Sequence, residues 1–154
     1  MTKPLNDSIK LFDSNLMLDE SLVVKRGNRY YLLNEGLKGF TDEGFLYAGT
    51  YLGETKGGRF MPSFMFLAMI AETARNKTCI DRKTAWLFIC GRDIFRRGIV
   101  RTSGATGKSN CTLIINRHDE CLGFGCFIAN FNEKADAVAV KNVMDIGDFL
   151  RRER

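Results

Sequence analysis

From about residue 80 onward, short β-prone runs recur at close spacing with turn residues between them, and this rhythm limits the fold more than any other feature. The runs are 85–89, 98–102, 111–116, 121–129 and 137–143. Gly91, Gly104, Gly107, the triplet His118-Asp119-Glu120 and residues 130–133 separate them. Strands this short bury a face only by closing on one another or stacking, so the spacing predicts a small barrel or sandwich.

The first 80 residues follow another pattern. Loosely helical apolar spacing over 5–18 predicts one helix or two short ones. Two strands are expected at 21–25 and 29–33, joined at Gly27-Asn28, a pair that accepts positive φ. A third strand, rich in aromatic residues, is expected at 45–52, followed by a turn at Lys56-Gly57-Gly58-Arg59. Pro62 is expected to open a helix reaching about Asn76, apolar on nearly every side and so buried. The reading is an α+β protein: a small N-terminal α/β domain with an antiparallel sheet over 1–80, then a β-barrel over 81–154. At 154 residues the chain is long enough for two such units sharing an interface.

Charge divides at the same place. Residues 1–80 carry 10 basic and 9 acidic side chains, whereas residues 81–154 carry 13 and 9, a net of +4. A basic surface attracts phosphate polyanions and gains free energy by releasing their counterions. No apolar run is long enough to span a bilayer, and the N-terminus lacks the basic-then-apolar pattern of a signal peptide. The expected setting is therefore cytoplasmic (nucleolar in a eukaryote), with no membrane partner. Five cysteines, an odd number without a Cys-x-x-Cys pair, are expected to be free and mostly buried thiols. With one histidine, a zinc site is not expected, and no cofactor is implied.

Three patterns invite an enzymatic reading and fail it. Residues 104–109 end like a phosphate-binding loop, but Thr102 stands where that loop needs glycine, and a strand rather than a helix is expected to follow. A glycine-rich hairpin is the better reading. Gly123-Phe124-Gly125 lacks the third glycine of a dinucleotide fingerprint, since Ile128 takes its place; these glycines read as a bend, bulge or close backbone approach within a strand. His118 falls in a turn with no orienting partner in view. Asp145 and Asp148 read as surface charges or a cap. No catalytic constellation emerges, and the chain is not expected to be an enzyme.

The stretch from Leu87 through Gly91 and Gly98 to Arg101 resembles the opening of a PUA domain, a module of RNA-modifying enzymes that binds RNA. The family pattern is a strand, a short helix entered through a glycine, then a glycine leading into a strand. Leu122-Gly123-Phe124-Gly125 is similar to the family's Leu-Gly-x-Gly strand, and residues 144–151 to its closing strand. Together with Gly49, Gly53 and the segment around them, these motifs resemble the nip-seven ribosome-biogenesis family of archaea and eukaryotes. The resemblance implies a small α/β domain before a PUA-type β-barrel, RNA binding in assembly of the large ribosomal subunit, and contacts with other assembly proteins.

On that resemblance, a short helix at 92–95, the loop after it and the closing strand would form one RNA-binding surface. It would gather Gly91, Arg92, Arg96, Arg97, Gly98 and Arg101, with Lys141, Arg151 and Arg152 added from the last segments. Arginine suits the role because its planar fork grips phosphate and stacks on bases. The glycines would let the RNA backbone approach. Two other functions stay open: a protein–protein adaptor in ribosome assembly, using Phe40, Phe45, Tyr47 and Tyr51, and an accessory subunit of an RNA-modifying enzyme.

Overall fold

The structure is a computed structural model and describes residues 2–40, 44, 49–131, 134–148 and 151. Helix α1 (Lys3–Leu11) leads into an antiparallel meander of β1 (Val23–Arg26), β2 (Arg29–Leu32), β3 (Thr50–Lys56) and β4 (Arg59–Pro62), in that spatial order. Helix α2 (Phe64–Thr73) then covers this sheet. The expected 5–18 helix is thus shorter and starts earlier, with Pro4 in its first turn and Asp13 at φ 48 beyond its end. The first part of the expected third strand, 45–48, lies outside the described residues, as do Phe45 and Tyr47.

Pro62 does not open α2. It closes β4 opposite Gly53, and Ser63 starts the helix instead. The Ser63 hydroxyl accepts the Phe66 N–H at 3.1 Å and donates to the Tyr51 carbonyl at 2.6 Å, which satisfies one of the orphan donors of the first turn. The helix ends at Thr73 rather than near Asn76, because Ala74 is extended and Asn76 serves another purpose. The Asn76 N–H donates to the Phe12 carbonyl at 3.2 Å, and its own carbonyl accepts from Leu113 at 2.9 Å.

The second half comprises β5 (Lys77–Ile80), α3 (Arg82–Ile89), β6 (Ile94–Phe95), a 3₁₀ turn at Arg96–Gly98, β7 (Ile99–Ser103), β8 (Cys111–Ile115), β9 (Cys121–Phe127) and β10 (Val138–Asp145). Its strands form one six-stranded sheet in the order β6-β10-β9-β8-β5-β7, curled as a PUA-type half-barrel. β5 lies antiparallel to β7 and parallel to β8.

Three expectations are corrected here. Residues 85–89 are helical, not a strand: Asp81 caps α3 by accepting the Thr84 N–H at 2.7 Å, and Phe88 points inward. Residues 92–95 are not a helix; Ile94 and Phe95 pair with β10. The segment between β7 and β8 is not a hairpin either. β5 separates those strands, so the segment crosses over β5's end, where the Ala105 N–H is held by Asn76 Oδ1 at 3.0 Å.

Among the described residues, two apolar clusters hold the molecule. The first joins the halves: Leu5, Phe12, Leu52, Phe66, Leu67 and Ile70 pack with Leu113 and Phe124 of the second sheet, and Phe12 meets Phe124 edge-on at 5.5 Å. The second fills the half-barrel with Ile80, Phe88, Ile94, Ile114, Phe127 and Val140. β8 therefore has both faces buried, with Leu113 in one cluster and Ile114 in the other. That explains its unbroken apolar run.

The expectation of five free thiols is corrected for one pair. Cys111 and Cys126 form a disulfide between directly opposed positions of β8 and β9. Opposed residues of an antiparallel ladder bring their Cβ atoms within bonding reach, a proximity that strand register creates. Cys79, Cys90 and Cys121 are free. No described helix is long and apolar enough to cross a membrane.

Candidate nucleic-acid interface

The expected surface is built around the C-terminus of α3. The chain leaves the helix through Gly91, whose φ of +88 only glycine adopts without strain. The last carbonyls of α3 find donors far along the chain. Asn142 Nδ2 donates to the Phe88 carbonyl at 3.0 Å, and Arg151 Nη1 donates to the Ile89 carbonyl at 2.6 Å. Asp145 ties these donors together. Its Oδ2 accepts from Asn142 Nδ2 at 3.0 Å and from Arg151 Nη2 at 2.8 Å. Asp93 adds a clasp by accepting the Asn142 N–H at 2.8 Å.

Asp145 is thus no surface charge: it is 2% exposed and braces the α3–β10 junction. Arg151, expected to face RNA, spends its guanidinium on this junction and lies over Gly91, at 3.3 Å from where a Cβ would stand. Its hydrogen bond with Asp145 raises its pKa further above an already basic value, so it stays charged.

The other arginines are held in two places. Arg96 donates through Nε to the Phe131 carbonyl at 3.3 Å and lays its guanidinium over the Phe131 ring at 4.0 Å. Arg97 pairs with Asp136 at 2.9 Å, whereas Arg101 pairs with Asp119 at 2.7 Å. The connections that supply Asp136 and Asp119 leave opposite ends of β9, so the three arginines do not share one anchor. The Arg97 and Arg101 pairs are largely exposed. Such pairs are worth about 0–1 kcal/mol, little enough for a phosphate to replace the carboxylate.

Gly98 does not open the surface as expected. It is buried, and a Cβ there would run into the Thr84 side chain, so its bareness serves the seating of α3. Arg92 and Lys141 are exposed and have no ion-pair partner among the described residues. Arg152 lies outside the described residues.

Sequence reasoning missed Asn142, the donor that joins β10 to α3. It also missed the outward face of α3, which carries Arg82, Lys83 and Trp86. A helical reading of 82–89, available from Asp81 and Thr84 as a cap, would have placed those three side chains together.

A groove of about 650 Å³ lies between α2 and the second sheet, lined by Glu72, Lys77, Cys79, Arg101 and Cys121 among others. Burial pushes the Cys121 thiol up, which makes it a poor nucleophile. His118 stands exposed in the β8–β9 turn, its N–H held by Asn116 Oδ1 at 2.9 Å.

Residues 76–154, from the approach to β5 through the closing strand and beyond, match the UPF0113 PUA domain family. The chain belongs to that family. A UPF0113 protein of Archaeoglobus fulgidus is 32% identical over 112 residues, covering 70% of this chain and 63% of that protein. The chain thus spans less than two thirds of that relative's length. The 60S ribosome subunit biogenesis protein NIP7 homolog of Danio rerio is 29% identical over 132 residues, 80% of this chain and 73% of that one. Among solved structures, a conserved PUA domain protein from Thermoplasma acidophilum superposes with a TM-score of 0.66 at 16% identity, covering 99% of this chain and 93% of its own. That likeness shows the fold alone. The nip-seven resemblance and the PUA-type second half are both borne out by these matches.

Proposed function

We propose that this UPF0113 chain is a non-catalytic RNA-binding factor of ribosome assembly, and that its ligand is precursor RNA of the large subunit. The observation that carries the reading is the coincidence of the family match, residues 76–154, with the half of the chain that holds the basic excess. Within that half, Arg92 and Lys141 are exposed without carboxylate partners among the described residues, and Arg96, Arg97 and Arg101 are held only by exchangeable contacts. The NIP7 homolog, by its name, acts in 60S subunit biogenesis, which supports the same setting here.

Binding of a fluorescent single-stranded RNA across a salt series tests the proposal. Wild type should bind with a steep fall of log affinity against log salt. An Arg92→Ala/Lys141→Ala variant should bind more weakly, its slope shallower by about 0.7 for each phosphate contact removed. An Arg96→Ala/Arg97→Ala/Arg101→Ala variant should weaken binding in the same way. Absence of binding at low salt would end the RNA reading and leave the adaptor function as the one to pursue.

A further inference from the structure

We propose that the outward face of α3 is a stacking platform for an unpaired nucleobase, with Trp86 as the platform and Arg82, Lys83 and Arg92 gripping the flanking phosphates. This rests on the RNA-binding reading above and adds to it the kind of RNA and the side chain that selects it.

Helix α3 has two faces with different work. Phe88 is fully buried in the half-barrel, with Ala85 and Ile89 packed beside it. Trp86 lies on the other side, 65% exposed. Its ring stacks on no aromatic side chain, and its indole N–H has no partner among the described residues. Tryptophan is on average among the well-buried residues, so an indole left this open calls for an explanation.

Its surroundings supply one. Arg82 stands four residues before Trp86 and Lys83 three before it, so both share its helix face. Both are exposed and have no ion-pair partner among the described residues. Arg92 lies just past the other end of this 8-residue helix, equally open. The nearby carboxylates are spoken for: Asp81 caps the helix at Thr84, and Asp93 accepts the Asn142 N–H. An indole flanked by unpaired cations, with its acids turned to the backbone, has the make-up of a single-strand site, where bases stack on aromatic rings and cations follow the phosphates. Lys83, one turn away, is of a residue type depleted at protein–protein interfaces, which favours the nucleic acid as occupant.

The platform selects for strand state. In a paired A-form helix the bases stack on each other and no base face is free for the indole. A single-stranded or bulged segment leaves one exposed.

Trp86 is the one tryptophan of the chain, so intrinsic emission reports on this site alone. The intact protein is titrated with a mixed-sequence single-stranded oligoribonucleotide and with its perfect duplex, following tryptophan emission and, separately, the anisotropy of a dye on the RNA. The expected result is strong quenching by the single strand and little by the duplex. Trp86→Ala should bind the single strand on the order of tenfold more weakly, while Trp86→Phe, which keeps a flat ring, should recover most of the affinity. Suppose the anisotropy shows single-strand binding but emission is unchanged and Trp86→Ala binds as wild type does. The platform is then wrong, the RNA-binding reading survives, and the indole belongs to a protein partner. Equal quenching by duplex and single strand would also overturn it. Absence of RNA binding by either readout takes both readings down together.

Discussion

Burying a carboxylate costs several kcal/mol unless neighbours replace the lost water, and Asp145 meets that cost through one oxygen. Its Oδ2 receives Asn142 and Arg151, while Oδ1 has no partner among the described residues. Removing the carboxylate would strand two donors that also hold the end of α3. Asp145→Ala should therefore lose about 2–4 kcal/mol, read from the urea midpoint. Arg151→Met should lose at least as much, because it leaves the buried carboxylate without its counter-charge. None of this was legible at residue scale. The carbonyls that Asn142 and Arg151 serve lie more than fifty residues away in sequence, and nothing local marks an aspartate as buried. Arg92 was legible, because an arginine beside a glycine turn stays exposed in almost any fold.

At the scale of single elements, the close contact of β9 with β10 depends on Gly123. Its φ is +144, and a Cβ there would collide with the Met144 carbonyl, at the irregularity in the β9–β10 register. Gly123→Ala should destabilise by about 3 kcal/mol or more, seen as a large fall in melting temperature. From sequence, a close backbone approach is one option for this glycine and a bend is the default; the structure shows the close approach. The disulfide beside it carries a second expectation. With unreduced protein, iodoacetamide should modify exposed Cys90 first and Cys121 slowly, and peptide mapping should find Cys111 and Cys126 labelled only after reduction. Labelling of all five without reductant would contradict the pairing. Helix α3 was misread because Ala85-Trp86-Leu87-Phe88-Ile89 is apolar throughout, and five such residues carry no period that separates helix from strand.

For the whole molecule, the two halves share a core rather than an edge. Leu113 and Phe124 belong to the second sheet yet are buried by α1, α2 and the first sheet. A fragment of residues 76–154 should consequently expose both, bind a hydrophobic dye and melt well below the full chain. A fragment as stable as the full chain would show the interface to be dispensable. The α+β character and the basic second half were legible from strand rhythm and charge, which need no long-range information. The place of β5 was not. Its residues follow a helix in sequence, and only pairing with β7 and β8, strands formed from residues about 20 to 40 positions later, makes it a strand.

That placement has a consequence for the order of events on the ribosome. The β1–β4 meander is stitched by neighbours in sequence and has its partners as soon as it emerges. β5 emerges next but lies between two strands not yet made, and the chain must later pass over it to lay down β8. Until residue 124 is out, the first half also lacks the ring that caps Phe12. Much of the chain therefore waits, with apolar surface uncovered, for its last third to be synthesised, and non-local pairing of this kind makes folding slower and more exposed to aggregation.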